Sequence, residues 1–200
     1  MDLVRAVLAA AALMRAVPAA ADPVDRWTVH IEEASARFGV PSSWIRKVIR
    51  AESGGATEIR GAPVVSSAGA MGLMQLMPST WREMRQVLRL GPDPHHPRDN
   101  ILAGSLYLRL MFDRFGYPGL FAAYNAGPAR YAQYLSGRRA LPYETRAYVA
   151  KLAPAASVTG TGGERPQRPG PALQPEDPPG LFARAPLGSL FVPLGRPAGR

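Results

Sequence analysis

Between residues 24 and 38, apolar side chains recur at Trp27, Ile31, Ala34 and Phe38, steps of three and four that lay them on one face of a helix, with Gly39 to end it. Pro41 suits the first turn of a second helix. In that helix Trp44, Ile45, Val48 and Ile49 form an apolar stripe running up to Ala51-Glu52, and Ser53-Gly54-Gly55 stops it. The pattern puts Glu52 at a helix C-terminus, where the negative end of the helix dipole disfavours a carboxylate. A residue that breaks its local rule is a candidate for function. Residues 61–72 are rich in Gly, Ser, Ala and Pro without a sustained period and read as a loop. A third helix is expected from about Pro78-Ser79-Thr80, carrying Trp81, Met84 and Leu88. Residues 99–115 have the cleanest stripe, Ile101, Ser105, Leu108, Phe112 and Phe115, and predict a core helix. Short helices are expected over 120–125, 128–135 and 142–152. No segment alternates strongly enough to predict a strand, so residues 22–152 read as a mainly α domain.

Composition sharpens the two ends. The chain has 200 residues, 46% hydrophobic and 20% charged, which allows one well-packed domain and excludes a wholly disordered or fibrous protein. Many of the 21 prolines gather after Lys151, so residues 153–200 read as a disordered or extended Pro/Gly/Arg-rich tail. At the other end, Arg5, the apolar run 6–14 and Ala19-Ala20-Ala21 ahead of Asp22-Pro23 read as a signal peptide over residues 1–21. The run is too short to span a bilayer and Arg15 interrupts it, so no stable membrane span is expected. The alternative is an alanine-rich first helix packed on the domain. Export follows from the leader. The absence of cysteine removes disulfides, thiol nucleophiles and cysteine metal sites, and permits export.

The formal net charge of +9 draws the chain toward a polyanion: nucleic acid, an anionic lipid surface or an acidic wall polymer. The arginines are scattered, with no zinc-finger, basic-zipper or RNA-recognition signature, which argues against nucleic acid.

Three short segments place polar groups among small or apolar neighbours: Glu52-Ser53, Gly72-Leu73-Met74-Gln75 and Ala123-Tyr124-Asn125-Ala126-Gly127. Taken singly, each has a plain structural reading as a helix end or a satisfied loop amide. Their order and spacing closely resemble the catalytic domain of the soluble lytic transglycosylases, whose fold is similar to goose-type lysozyme. The resemblance covers residues 24–151. It includes Ala51-Glu52-Ser53-Gly54, the block from Ser67-Ala68-Gly69-Ala70 through Met71-Gly72-Leu73-Met74-Gln75-Leu76-Met77-Pro78, Asn100-Ile101 with Gly104 and Tyr107-Leu108, and Ala122-Ala123-Tyr124-Asn125-Ala126-Gly127-Pro128. Glu144-Thr145-Arg146-Ala147-Tyr148-Val149 resembles the family's last helix, where a tyrosine lines the site.

The resemblance implies a lysozyme-like fold with a groove between helical lobes that binds peptidoglycan glycan strands, which would put the exported protein in the periplasm or at the cell wall. It implies Glu52 as the only catalytic residue, acid and then base, so that the strand is cut with a 1,6-anhydro muramic acid end and without the second carboxylate of an ordinary glycosidase. A glutamate walled by apolar groups holds a proton near neutral pH, which suits that role. Gln75, Tyr124 and Asn125 would orient the substrate's N-acetyl group, Ser53 and Met74 would line the groove with Met74 against a sugar face, and Tyr148 would face the Glu52 carboxyl. Among other carboxylates, Glu58 falls in a loop, Glu83 reads as a solvated helix residue beside Arg82 and Arg85, and Asp99 reads as a helix cap; none enters the mechanism. His95-His96 has no third ligand in view, so no metal is expected, and no cofactor is implied.

Two readings compete with this one: a lysozyme-like hydrolase of the same bond, and a non-catalytic wall-binding or assembly module. In the tail, Leu181-Phe182 and Leu190-Phe191-Val192 are hydrophobic beads, each followed by Pro-Leu-Gly. They suit docking to a wall-spanning secretion or conjugation machine; the alternative is a low-complexity tail of no defined role.

Overall fold

The computed structural model describes residues 21–154. Residues 1–20 and 155–200 lie outside it, and with them nearly all of the expected signal peptide and tail. The described residues fold mainly as helices: α1 (Thr28–Phe38), α2 (Ser42–Glu52), α3 (Pro78–Leu88), α4 (Pro97–Phe115), α5 (Gly119–Ala126), α6 (Pro128–Leu135) and α7 (Tyr143–Leu152). A short antiparallel pair, β1 (Glu58–Ile59) and β2 (Ala62–Pro63), sits between α2 and α3, with Glu58 opposite Pro63 and Ile59 opposite Ala62.

The core is built around α4. Residues 99–111 of this helix are buried without interruption, the pattern of a helix that is surrounded rather than laid on a surface. It packs against α1, α3 and α5, while α7 packs against α5 and α2. The stripes read from the sequence are the buried faces: Ile31, Ala34 and Phe38 on α1, Trp44, Ile45, Val48 and Ile49 on α2, Trp81, Met84 and Leu88 on α3. Trp44 stacks on Tyr117 at 5.3 Å between ring centroids and meets Phe112 and Phe121 edge-on at 5.4 and 5.8 Å. Offset and edge-on packing of this kind fixes how α2 sits on the central helix.

The differences from the expected elements are local. The first segment opens as a 3-10 turn, Asp25–Trp27, before α1. Pro41 lies just before α2 rather than in its first turn. The central helix starts at Pro97, so Asp99 belongs to its first turn and is not the cap. The His96 side chain caps instead, accepting from the Asp99 N–H at 3.4 Å, and the Asp99 carboxylate takes the Gly91 N–H at 3.0 Å. The β1–β2 pair escaped sequence reading because two residues per strand are too few to alternate. Among the described residues no helix is long and apolar enough to cross a membrane.

Candidate active site

Glu52 is the last residue of α2. It is half-buried, and its Oε1 accepts a hydrogen bond from the Tyr148 hydroxyl at 2.7 Å. Oε2 has no hydrogen-bond partner among the described residues. Burial pushes the carboxyl up from its ordinary 4.5 to about 7; the Tyr148 hydrogen bond restrains that rise, and the nearby charge of Glu144 adds to it. A group with this affinity holds its proton near neutrality and can still give it up, which is what a general acid needs. Burial and the charge of Glu52 keep the Tyr124 and Tyr148 phenols far above their usual range, so both stay neutral donors.

Tyr148 reaches Glu52 because α7 packs across the C-terminal end of α2. Lys47 on α2 donates from Nζ to the Leu152 carbonyl at 3.0 Å, satisfying an open carbonyl at the end of α7. On the other side, Ser53 donates from Oγ to the Leu73 carbonyl at 2.8 Å and accepts from the Gly55 N–H at 3.2 Å. The hydroxyl expected to line a groove is thus committed to joining the end of α2 to the 71–76 segment.

That segment is held tightly. The buried Asn100 side chain accepts from the Met74 N–H at 2.8 Å and donates to the carbonyls of Met71 and Pro94 at 3.1 and 2.8 Å. Gly72 lies against it at φ +74, a left-handed conformation, and a Cβ there would stand 2.4 Å from Asn100 Nδ2. Gln75 adopts φ 48 without being glycine, a conformation that persists where its surroundings dictate it. Its Nε2 donates to the Gly72 carbonyl at 2.8 Å, which leaves Oε1 without a hydrogen-bond partner among the described residues.

The structure corrects the reading of Met74. Its side chain is 0% exposed, and a Cβ on Gly104 would lie 2.4 Å from its Sδ, so it plugs the core against α4 and offers no surface to a sugar. Met77, just after the segment and ahead of α3, is 43% exposed. Tyr124 is also committed inward: its hydroxyl donates to the Met74 carbonyl at 2.8 Å and joins α5 to the segment. Asn125, next in sequence, keeps contact with solvent, and its Oδ1 accepts from the Thr145 hydroxyl at 2.8 Å.

Glu52 and Tyr148 are thus in direct contact, while Gln75 and Asn125 lie on the 71–76 segment and on α5, which Ser53 and Tyr124 tie to the end of α2 and to each other. Of the other carboxylates, Glu58 is exposed on β1 and Asp99 is occupied by Gly91, whereas Glu83, half-buried on α3 with its carboxyl raised by burial, acts by its charge on the Tyr107 phenol, whose ring lies 5.2 Å from that of Tyr124. Among the described residues no group of three His, Cys, Asp or Glu side chains could hold a metal ion. Sequence reasoning missed Glu144 and Thr145 as members of the site, although Thr145 lies one helical turn from Tyr148 and so shares its face.

The sequence matches the Transglycosylase SLT domain family over residues 30–146. It is 33% identical over 128 residues to the soluble lytic murein transglycosylase of Escherichia coli K12, covering 55% of this chain and 19% of that protein. It is 37% identical over 102 residues to the endo-type membrane-bound lytic murein transglycosylase A of Klebsiella pneumoniae, covering 44% of this chain and 46% of that one. Among solved structures, an inactive mutant of the Pseudomonas aeruginosa lytic transglycosylase Slt superposes with a TM-score of 0.53 at 31% identity, over 62% of this chain and 22% of that one. The chain spans less than half the length of each of these relatives. The family match takes in Glu52, Gln75, Asn125 and Thr145, and ends just before Tyr148. The chain belongs to the Transglycosylase SLT domain family.

Proposed function

We propose that this domain is a peptidoglycan lytic transglycosylase that cleaves the β-1,4 bond between N-acetylmuramic acid and N-acetylglucosamine, with Glu52 as its one catalytic residue. The observation that carries the reading is the Glu52 carboxyl itself: half-buried, raised to about 7, and hydrogen-bonded to a neutral tyrosine rather than to a cation. The Pseudomonas relative, inactive with one glutamate exchanged for glutamine, supports it.

In the proposed reaction the Glu52 acid gives its proton to the glycosidic oxygen as the C1–O bond breaks, and the N-acetylglucosamine side leaves as an alcohol. Positive charge develops at C1 of muramic acid and is shared with the carbonyl oxygen of its own acetamido group. The C6 hydroxyl then bonds to C1 while its proton passes to the Glu52 carboxylate. The product is a 1,6-anhydro end, the acid is restored and no water is consumed. Gln75 and Asn125 present amide groups to the acetamido group, and Met77, in place of Met74, supplies apolar surface. Ser53 and Tyr124 serve as braces of the wall.

This chemistry needs one titrating carboxyl. A glycosidase pair requires a second carboxylate as base or nucleophile. Glu144 is exposed and influences Glu52 through charge alone, as the smallest of its three perturbations. The reading also assigns residues 1–21 to an export signal and the tail, beyond the buried Ala153, to a tether for a wall-spanning secretion or conjugation machine. Deletion of the tail with localisation and pull-down partners unchanged overturns the tether.

The test is mass spectrometry of muropeptides released from purified sacculi by residues 22–200, beside Glu52→Gln. Anhydro-muramyl ends that vanish in the variant establish the reaction. Reducing ends instead make the enzyme a hydrolase, and no release from either leaves a binding or assembly module.

A further inference from the structure

The Thr145–Asn125 hydrogen bond has a chemical direction, and that direction sets which half of the Asn125 amide faces outward. Thr145 is 2% exposed, and a buried hydroxyl left unpaired is costly. It lies in the first turn of α7, where the carbonyl four residues back falls before the helix, so the usual intrahelical acceptor for a threonine is missing. Its one hydrogen bond among the described residues is donation to Asn125 Oδ1 at 2.8 Å. With Oδ1 taken by the buried Thr145 hydroxyl, Nδ2 and its two protons are the half of the Asn125 amide left unengaged. Asn125 retains exposed surface, and Nδ2 has no hydrogen-bond partner among the described residues.

Gln75 is fixed in the opposite sense. Its Nε2 donates to the Gly72 carbonyl, and its Oε1 has no hydrogen-bond partner among the described residues. The two amides belong to neighbouring walls, since Tyr124, beside Asn125, bonds the carbonyl of Met74, beside Gln75. One segment thus carries a donor and the other an acceptor, the two kinds of group that the carbonyl and N–H of a secondary amide such as an acetamido group call for. An unanchored asparagine would lose this sense, because rotating its amide exchanges donor for acceptor.

We propose that Thr145 is a positioning residue: its hydroxyl locks the Asn125 amide with the N–H donors toward the bound glycan, so that α7 orders the amide through Thr145 and the acid through Tyr148. The inference rests on the proposed transglycosylase reading, in which Asn125 meets the acetamido group.

The experiment is a double-mutant cycle on sacculus cleavage with residues 22–200, comparing wild type, Thr145→Val, Asn125→Ala and the double variant, with Thr145→Ser as the conservative exchange. Thr145→Val keeps shape and removes the hydroxyl. The expected result is a fall of roughly three- to tenfold in kcat/KM, the size of one hydrogen bond, with the alkaline limb of the pH profile unmoved because the neighbours of Glu52 are intact. In the Asn125→Ala background the same exchange should cost nothing further, and Thr145→Ser should restore most of the rate. A loss of equal size in both backgrounds, or a Thr145→Val enzyme as fast as wild type, overturns the proposal. Asn125→Asp keeps the acceptor for Thr145 but has no N–H donors; it must lose as much as Asn125→Ala, and retention of the rate overturns the proposal even if Thr145→Val does not fold. Wild type that releases no muropeptides defeats the transglycosylase reading itself, and is thereby distinguished from a failure confined to Thr145.

Discussion

At the scale of single residues, the decisive quantity is how strongly the surroundings of Glu52 favour its neutral form. Burial raises its carboxyl to about 7, Tyr148 pulls it down by hydrogen-bonding the charged form, and Glu144 pushes it up. Cleavage starts from the protonated acid, so the rate should fall as pH rises through about 7. The two neighbours should move that limb in opposite directions: upward in pH for Tyr148→Phe, which removes the bond stabilising the carboxylate, and downward for Glu144→Gln, which removes the repulsion. A pH–rate profile of each variant checks this, and limbs that move together would show that another group controls ionisation. The same shift bears on stability. The folded-state value lies above the ordinary 4.5, so folding opposes ionisation: this contribution is intact below about 4.5 and is lost as pH rises to about 7. Glu52→Gln, which cannot ionise, should therefore melt higher than wild type at pH 8, with the difference closing by pH 4. Melting curves at both values test the sign.

At the scale of elements, the site is a junction of α2, the 71–76 segment, α5 and α7, and its precision depends on how closely the segment sits on α4. Gly104 permits that approach, because a Cβ there would stand 2.4 Å from Met74 Sδ and 2.7 Å from Met74 Cβ. Gly104→Ala improves helix propensity by about 1 kcal/mol. It also forces an overpacked contact costing roughly 1–3 kcal/mol, because the Met74 Cβ cannot swing aside as a side-chain tip can. The clash should win, lowering the melting temperature and, by displacing Gln75, the cleavage rate; a variant as stable and active as wild type would show that the segment yields freely. Helices were legible because their stripes have a period and their ends carry Gly or Pro: residues 128–135 and the start at Pro78 emerge as read. The resemblance supplied the pairing of Tyr148 with Glu52, which periodicity cannot see across 96 residues. Neither source distinguished Met74 from Met77, because burial inside an irregular segment follows from turns at Gly72 and Gln75 that have no period. Thr145 was hidden for a related reason, since its partner lies on another helix.

At the scale of the molecule, the question is where the catalytic unit ends. α7 carries Tyr148 against Glu52 and Thr145 against Asn125, Leu152 at 1% exposure and the following Ala153 at 8% enter the core, and the Leu152 carbonyl receives Lys47. Truncating one buried leucine to alanine typically costs about 2–5 kcal/mol, against a total stability of roughly 5–15 kcal/mol for a domain. Removing the whole helix also exposes the α5 and α2 surfaces on which it rests. Residues 22–142 should therefore fail to fold cooperatively and should release no muropeptides. Residues 22–154 keep every hydrogen bond and core contact described above, and should match residues 22–200 in melting temperature and in cleavage of sacculi. Calorimetry and muropeptide release on the three fragments decide it. A shorter fragment that keeps its activity would take Tyr148 and Thr145 out of the site. An inactive or unstable 22–154 would make residues 155–200 part of the catalytic unit and defeat their assignment as a tether, since a tether contributes reach and partners without changing the chemistry it carries.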